Sequence, residues 1–251
     1  MFKNLFAQKK IIISGNSGFK GSWLSMWLNK LGAKVHGVSF NPPSKVNMFE
    51  SLKLENKLKS YTRIDISKDY NELNNLIASV RPDFVFHLAA QPLVSISYKN
   101  PIETIQTNVI GTANILNSIK EQKFRITSVI ITSDKCYDNL ELKRGYVEND
   151  ALGGKDIYSG SKGAAELIIK SYYNSFFKNH EYGSTIASAR AGNVIGGGDW
   201  SANRLIPDGI RSLLKGKSIY LRNPNFNRPW QHVLEPLRGY LILAKKQFIN
   251  P

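Results

Sequence analysis

The chain has 251 residues, 42% hydrophobic and 21% charged. That usage excludes wholesale disorder and a fibrous architecture, and a chain this long can bury a core without disulfide or metal staples. Lys+Arg 34 against Asp+Glu 19 leaves a net charge of +15, which points either to an anionic partner, polymeric or small and phosphorylated, or to a solvated lysine-rich surface. Of the 34 cations, 24 are lysines scattered along the chain, and no Arg-rich arm or aromatic–basic interleaving marks a nucleic-acid binder, so none is expected. The single cysteine, Cys136, rules out an internal disulfide and a cysteine-based zinc site. No stretch approaches the ~20 apolar residues of a spanning helix, so no membrane partner is expected. The first residues, MFKNLFAQKKIIIS, lack the apolar region of a secretion signal, and a cytoplasmic protein is expected.

Short β-type runs alternate with helical periodicity, the signature of an α/β fold with a parallel sheet covered by helices. Lys10–Ser14 reads as a buried first strand, followed by Leu24, Trp27, Leu28 and Leu31 at the spacing of one helical face. Lys34–Phe40 and Tyr61–Ile64 read as strands. Tyr70, Leu73, Ile77 and Val80 mark a helix that Arg81-Pro82 ends. A strand at Phe84–Leu88, a long helix over about 102–120, a strand at Ser128–Thr132, a helix starting near Tyr158 and a strand at Thr185–Ala189 complete the rhythm. After Gly196-Gly197-Gly198 it changes: a helix over 205–214, an extended pair near Ile219–Arg222 and Trp230–Val233, and a last helix from Glu235.

Gly15-Asn16-Ser17-Gly18-Phe19-Lys20-Gly21 joins the first strand to the first helix. Glycines there permit the tight turn and a close approach of backbone to a pyrophosphate, and the helix N-terminus offers unpaired N–H groups. A dinucleotide held by Gly15, Ser17, Gly18, Phe19 and Gly21 is the expected ligand. The acid that usually meets the adenosine ribose about 20 residues on is absent; Ser39-Phe40-Asn41 stands there, so NAD and NADP are not distinguished, and Ser39 and Asn41 are neutral candidates. Asp65, with Ile66, follows the third strand, where a carboxylate suits either an adenine amino group or a helix cap. Ala89 and Ala90, following Leu88 at the end of the fourth strand, are small enough for a cofactor to lie against the three, whereas the neighbouring His87 reads as a satisfied core histidine.

Tyr158 and Lys162 stand one helical turn apart and hence on one face. Eleven tyrosines and 24 lysines yield about one such spacing by chance, so placement carries the weight. The pair opens the helix after the fifth strand, on the side where an open α/β sheet collects ligands. An ammonium and an oxidised nicotinamide are expected to lower the phenol toward neutrality, making Tyr158 a general base for a hydroxyl whose carbon gives up hydride. Ser133, Asp134 and Lys135 leave the fifth strand as a hydrogen-bonding group and an acid/base couple. Cys136 reads as packing.

The chain resembles the extended short-chain dehydrogenases/reductases, and within them the CDP-glucose 4,6-dehydratase subgroup. The resemblance is carried by GNSGFKGSWLSMWL (15–28), HLAAQPLV (87–94), TSDKCYDN (132–139), YSGSKGAAEL (158–167), SARAGNVIGGGDW (188–200) and LRNPNFNRPWQHVLEPL (221–237), of which the last two are the most specific. It implies a Rossmann-like doubly wound sheet over 1–190 and a substrate-binding lobe over 191–251. Because the family continues past the LILAKK segment, that lobe is expected to be incomplete. It also implies NAD as a recycled cofactor and a lyase of nucleotide-sugar metabolism serving deoxysugar and O-antigen synthesis. The expected reaction is C4 oxidation of CDP-glucose, loss of water across C5–C6 and hydride return to C6.

Many sugar-nucleotide dehydratases carry Asp-Glu where this chain has Asp134-Lys135. The resemblance implies Asp134 as the acid for the departing hydroxyl and Lys135 as the C5 base. It places Asn193, Arg204 and Arg228 on the nucleotide pyrophosphate, and a homodimer or homotetramer as the assembly. An epimerase or reductase of nucleotide sugars, or an NAD-binding fragment without turnover, are the rival expectations.

Overall fold

The structure is a computed structural model that describes residues 2 and 4–251. Six parallel strands form the central sheet: β1 (Lys10–Ser14), β2 (Lys34–Ser39), β3 (Ser60–Arg63), β4 (Phe84–His87), β5 (Thr127–Ile131) and β6 (Thr185–Ala189). Their spatial order is β3-β2-β1-β4-β5-β6, the doubly wound arrangement in which the order of strand addition reverses between β1 and β4 while all strands stay parallel. Helices α1 (Phe19–Lys30), α2 (Met48–Ser51), α3 (Tyr70–Val80), α4 (Val94–Lys99), α5 (Pro101–Ile105), α6 (Gly111–Lys120), α7 (Ile157–Tyr172), α8 (Leu205–Leu213) and α9 (Leu234–Ile249) follow in chain order.

Strand alternation divides the core. Ile11, Ile13, Phe84, Phe86, Val129 and Ile131 face α1 and α9, where they meet Leu24, Leu28, Leu237 and Leu241. Ile12, Val38, Val85 and Ile130 face the other way, against Leu73 and Ile77 of α3, Ile115, Leu116 and Ile119 of α6, and Ile169 of α7. Parallel strands covered on both faces need apolar residues at every position, which is why β1 and β4 read as continuous runs.

The long helix expected over 102–120 is α5 and α6 joined by a π-helical turn at Gln106–Ile110. The expected pairing of Ile219–Arg222 with Trp230–Val233 is not formed. Instead β8 (Trp230–His232) lies parallel to β7 (Asn193–Ile195) in a separate two-stranded sheet. Pro224 and Pro229 interrupt the intervening chain, and the segment leaving β6 through Ala191 supplies the edge that β8 finds. No helix among the described residues is long and apolar enough to cross a membrane.

Candidate active site

The turn after β1 brings the sheet's C-terminal edge and α1 together. Gly15 has φ +74°, and a Cβ there would lie 2.5 Å from the Ala89 backbone nitrogen. The end of β4, with Leu88, Ala89 and Ala90, therefore presses directly on the turn. At Gly21 a Cβ would meet the Gly15 carbonyl oxygen at 2.1 Å, a backbone atom that can yield only if the turn moves. Gly21→Ala is expected to cost about 1–3 kcal/mol, the usual penalty of forced overpacking, seen as a lowered denaturant midpoint.

Helix α1 begins at Gly18 with no side-chain cap and no acid in its first turn. Its leading N–H groups and positive dipole end thus have no side-chain acceptor, an arrangement that fits a dinucleotide pyrophosphate. Ser17 is buried and tied to the end of β2: its N–H donates to Ser39 Oγ (3.0 Å) and its hydroxyl to the Asn41 carbonyl (3.3 Å). Ser39 Oγ in turn donates to Asn16 Oδ1 (2.8 Å). Of the two neutral ribose candidates, Ser39 is committed internally, and Asn41 holds the rim, its Oδ1 accepting from Arg63 Nη2 (2.7 Å).

Asp65 does not cap α3, whose N-cap is Asp69; it closes the turn ahead of that helix. Its Oδ1 accepts from the Ser67 N–H (3.0 Å) and hydroxyl (2.7 Å), and its Oδ2 lies 3.4 Å from Lys68 Nζ. Burial opposes ionisation of this carboxyl, but Ser67 and Lys68 outweigh it and hold it below the ordinary value. Ile66 is a core residue under α6. His87 is satisfied between Ser14 Oγ (2.6 Å) and Thr112 Oγ1 (3.0 Å), and burial, reinforced by Lys162, pushes it down to about 3, so it stays neutral.

Beyond Phe19 the edge of the sheet opens into a cleft of about 1200 Å³. Its wall brings together Ser133, Asp134, Lys135 and Tyr158 from β5 and α7, and Asn193, Arg204 and Arg228 from the chain after β6. The glycine turn before Phe19, Asp65 and the end of β4 are not part of this wall. Helix α7 starts at Ile157, one residue before Tyr158, because Asp156 caps it, accepting from the Ser159 N–H (3.0 Å) and hydroxyl (2.7 Å). Ser133 donates to Asp134 Oδ1 (2.9 Å) and accepts from the Lys135 N–H (3.3 Å), which winds the strand end into a single tight turn. Arg204 is anchored by Asp199 at 2.7 Å, whereas Arg228 sits exposed at the rim.

Tyr158 is buried, and burial pushes its phenol above the ordinary value, helped by Asp134 and Asp156 and opposed by Ser133 and Arg204. The expected lowering is thus not set by the chain's own groups. Lys162, buried one turn further, is pushed down to about 8 by burial and by Lys20, against the pull of Glu166. Cys136 is fully buried, its thiol pushed up to about 12 chiefly by burial, as suits a packing residue.

Two groups escaped the sequence reading. Lys20 reaches the cleft from the second residue of α1, near Arg204 and Asp134, and burial together with Arg204 brings it down to about 8. A lysine inside the glycine loop was the available signal. Asn108, fully buried in the π turn, bonds the Gln91 backbone through both ends of its amide (2.8 and 3.1 Å) and Ser161 Oγ (2.9 Å), tying the end of β4 to α7. Such π turns cluster at functional sites.

A family model described as GDP-mannose 4,6 dehydratase matches residues 12–248. The chain is 49% identical to a CDP-glucose 4,6-dehydratase of Salmonella typhimurium over 98% of its own length and 69% of that protein's. In structure it is similar to an epimerase of Methanothermobacter thermautotrophicus (TM-score 0.81, 23% identity, covering 96% of this chain and 69% of that one). It is similar also to a dTDP-glucose 4,6-dehydratase of Bacillus anthracis in complex with NAD (TM-score 0.78, 23% identity, 95% and 72%). With the doubly wound sheet, the glycine turn and the Tyr158–Lys162 helix in place, the match over nearly the whole chain establishes that it belongs to the GDP-mannose 4,6 dehydratase family.

Proposed function

We propose that the chain is a hydro-lyase that converts CDP-glucose to CDP-4-keto-6-deoxyglucose with NAD as a recycled cofactor. The observation that carries this reading is the convergence of Asp134, Lys135 and Tyr158 on one cleft rimmed by Lys20, Arg204 and Arg228. The 49% identity to the Salmonella enzyme supports the choice of nucleotide sugar.

Gly15, Gly18, Phe19 and Gly21, with the ledge at Leu88–Ala90, would hold NAD, which when bound accepts hydride from C4 and returns it at C6. Asp65 and Ile66 would flank its adenine end. Tyr158 takes the proton of the C4 hydroxyl. Lys162 supplies the positive charge that a buried phenolate requires. With C4 a ketone, the C5 proton is acidic; Lys135 removes it and Asp134 protonates the C6 hydroxyl, so water leaves across C5–C6, and Lys135 gives the proton back to C5 as C6 is reduced. Ser133 orients Asp134 and the reacting hydroxyl. Asn193, Arg204 and Arg228 face the substrate pyrophosphate, whose charge accounts for part of the chain's excess of cations. Residues 1–190 form the dinucleotide domain in this reading, and 191–251 belong to the substrate lobe.

An epimerase needs no acid at C6, and Asp134 in the cleft wall favours dehydration over that rival. Exposed Ile102 and Ile110, together with Leu167, Tyr173 and Phe176 on and just beyond α7, suit pairing with a second copy, and the cytoplasm is the proposed compartment.

Incubation with CDP-glucose and NAD tests the reading by product analysis. A 4-keto-6-deoxy product is expected; an epimerised sugar, or saturable NAD binding without turnover, overturns it. A pH profile adds a second check. Lys162 acts as the ammonium, so its charge is present below about pH 8 and lost as pH rises through that value. Turnover is expected to fall on the alkaline side near pH 8, and a profile flat to pH 10 would contradict the assignment.

A further inference from the structure

On α7, Glu166 lies one turn beyond Lys162 and two beyond Tyr158, on the same face of the helix. It is 5% exposed, and each of its carboxylate oxygens is occupied. Oε1 accepts from the Thr132 hydroxyl, and Oε2 from Ser188 Oγ (2.9 Å) and Arg190 Nη2 (2.9 Å). Thr132 immediately precedes Ser133, and its own N–H is held by the Ala189 carbonyl (2.9 Å). Arg190 extends the contact: Nη1 donates to the Glu148 carbonyl (3.3 Å) and the guanidinium lies 4.7 Å from the ring centroid of Tyr137. Tyr137 closes the turn formed by Asp134–Cys136 and stacks on Tyr146 (5.0 Å). One carboxylate thus joins the helix of the base, the strand end of the acid, β6 and the loop beyond.

We propose that Glu166, through its ion pair with Arg190, is a positioning residue for the reaction. It sets the separation between the face carrying Tyr158 and Lys162 and the strand end carrying Ser133, Asp134 and Lys135. The inference rests on the dehydratase reading for what is positioned, although the geometry itself does not. Cohesion alone gives little reason for an ion pair here, because apolar packing of similar volume often serves as well. Charge-assisted bonds in three fixed directions serve to hold geometry, and displacements of about 1 Å cost on the order of 100-fold in rate. The carboxylate also acts on charge. The groups that face Lys162 are Lys20 from α1, His87 from β4, Cys136 from the turn after β5 and Glu166 on its own helix, and of these only Glu166 is an anion that favours the ammonium. Burial opposes ionisation of Glu166 itself, but Arg190, Thr132 and Ser188 outweigh it and keep the carboxyl below its ordinary value.

The test compares the wild-type chain with E166Q and E166D in steady-state assays with CDP-glucose and NAD across pH 6–10. E166Q is expected to lower kcat by roughly 10- to 100-fold with KM within about threefold, and to move the alkaline limb to lower pH because Lys162 loses its anion. E166D keeps the charge on a shorter arm, so an intermediate kcat with the wild-type limb is expected. E166Q within about twofold of wild type and with an unmoved limb overturns the proposal; where E166Q does not fold, E166D at full wild-type kcat does so. Absence of product from the wild-type chain counts against the dehydratase reading alone. Titration of the Lys162 ammonium by NMR then decides the positioning claim separately: a lower titration midpoint in E166Q supports it, an unchanged one overturns it.

Discussion

Tyr158→Phe is expected to reduce turnover by about three orders of magnitude, within the range that a positioned general base contributes, while leaving KM and thermal stability close to wild type. The ring is almost entirely buried and the substitution removes only the phenolic oxygen, so packing against α7 and the cleft wall is preserved. The physical problem the wild-type residue faces is visible in its surroundings. Burial and the nearby carboxylates of Asp134 and Asp156 resist phenolate, and Ser133 and Arg204 offset only part of that. The residue can therefore act as a base only with further positive charge beside it, which is the role given to Lys162. A Phe variant that retains near wild-type kcat would remove the base from the account, and a variant that lost binding and turnover together would indicate that Tyr158 serves substrate affinity instead.

Asp134→Asn is expected to lower formation of the 4-keto-6-deoxy product by about 100- to 1000-fold, the loss of one general acid. Asparagine keeps the acceptor that Ser133 donates to at 2.9 Å, so the turn over Asp134–Cys136 should persist. The informative readout is exchange at C5. If Asp134 serves only the departing C6 hydroxyl, the C5 proton should still wash out into deuterated water in the variant, because Lys135 and the steps before elimination are intact. Equal loss of exchange and of product would assign Asp134 to C5 proton removal or to an earlier step.

Much of the scaffold was legible because its signals are local and strong. Ile11-Ile12-Ile13 and Phe84-Val85-Phe86 are buried on both sides, so unbroken apolar runs announced them, and Leu73, Ile77 and Val80 kept helical spacing up to Arg81. The pair β7 and β8 was not legible: three half-exposed or exposed residues each carry no periodicity, and their partnership depends on where the chain returns 35 residues later. Ile219-Tyr220-Leu221 has strand composition yet finds no partner and stays irregular and exposed. Among the candidate site residues, Tyr158, Lys162 and Asp134 stood out through spacing and position after β5, and the structure brings Tyr158 and Asp134 to one cleft with Lys162 buried one turn on. The protonation balance did not, because burial is a property of the folded cleft; the upward push on Tyr158 and the downward push on Lys20 arise from contacts between residues far apart in sequence. Glu166 was hidden for a related reason. Nothing in YSGSKGAAEL shows that its carboxylate meets Thr132, Ser188 and Arg190.

The most direct test of the central claim follows a label through the reaction. CDP-glucose carrying deuterium at C4 should yield CDP-4-keto-6-deoxyglucose with that deuterium in the C6 methyl group, one atom per product molecule and without external reductant. A product whose methyl group draws all its hydrogen from water, or a sugar altered at C4 with C6 still hydroxylated, would contradict transient oxidation assisted by Tyr158 and Lys162.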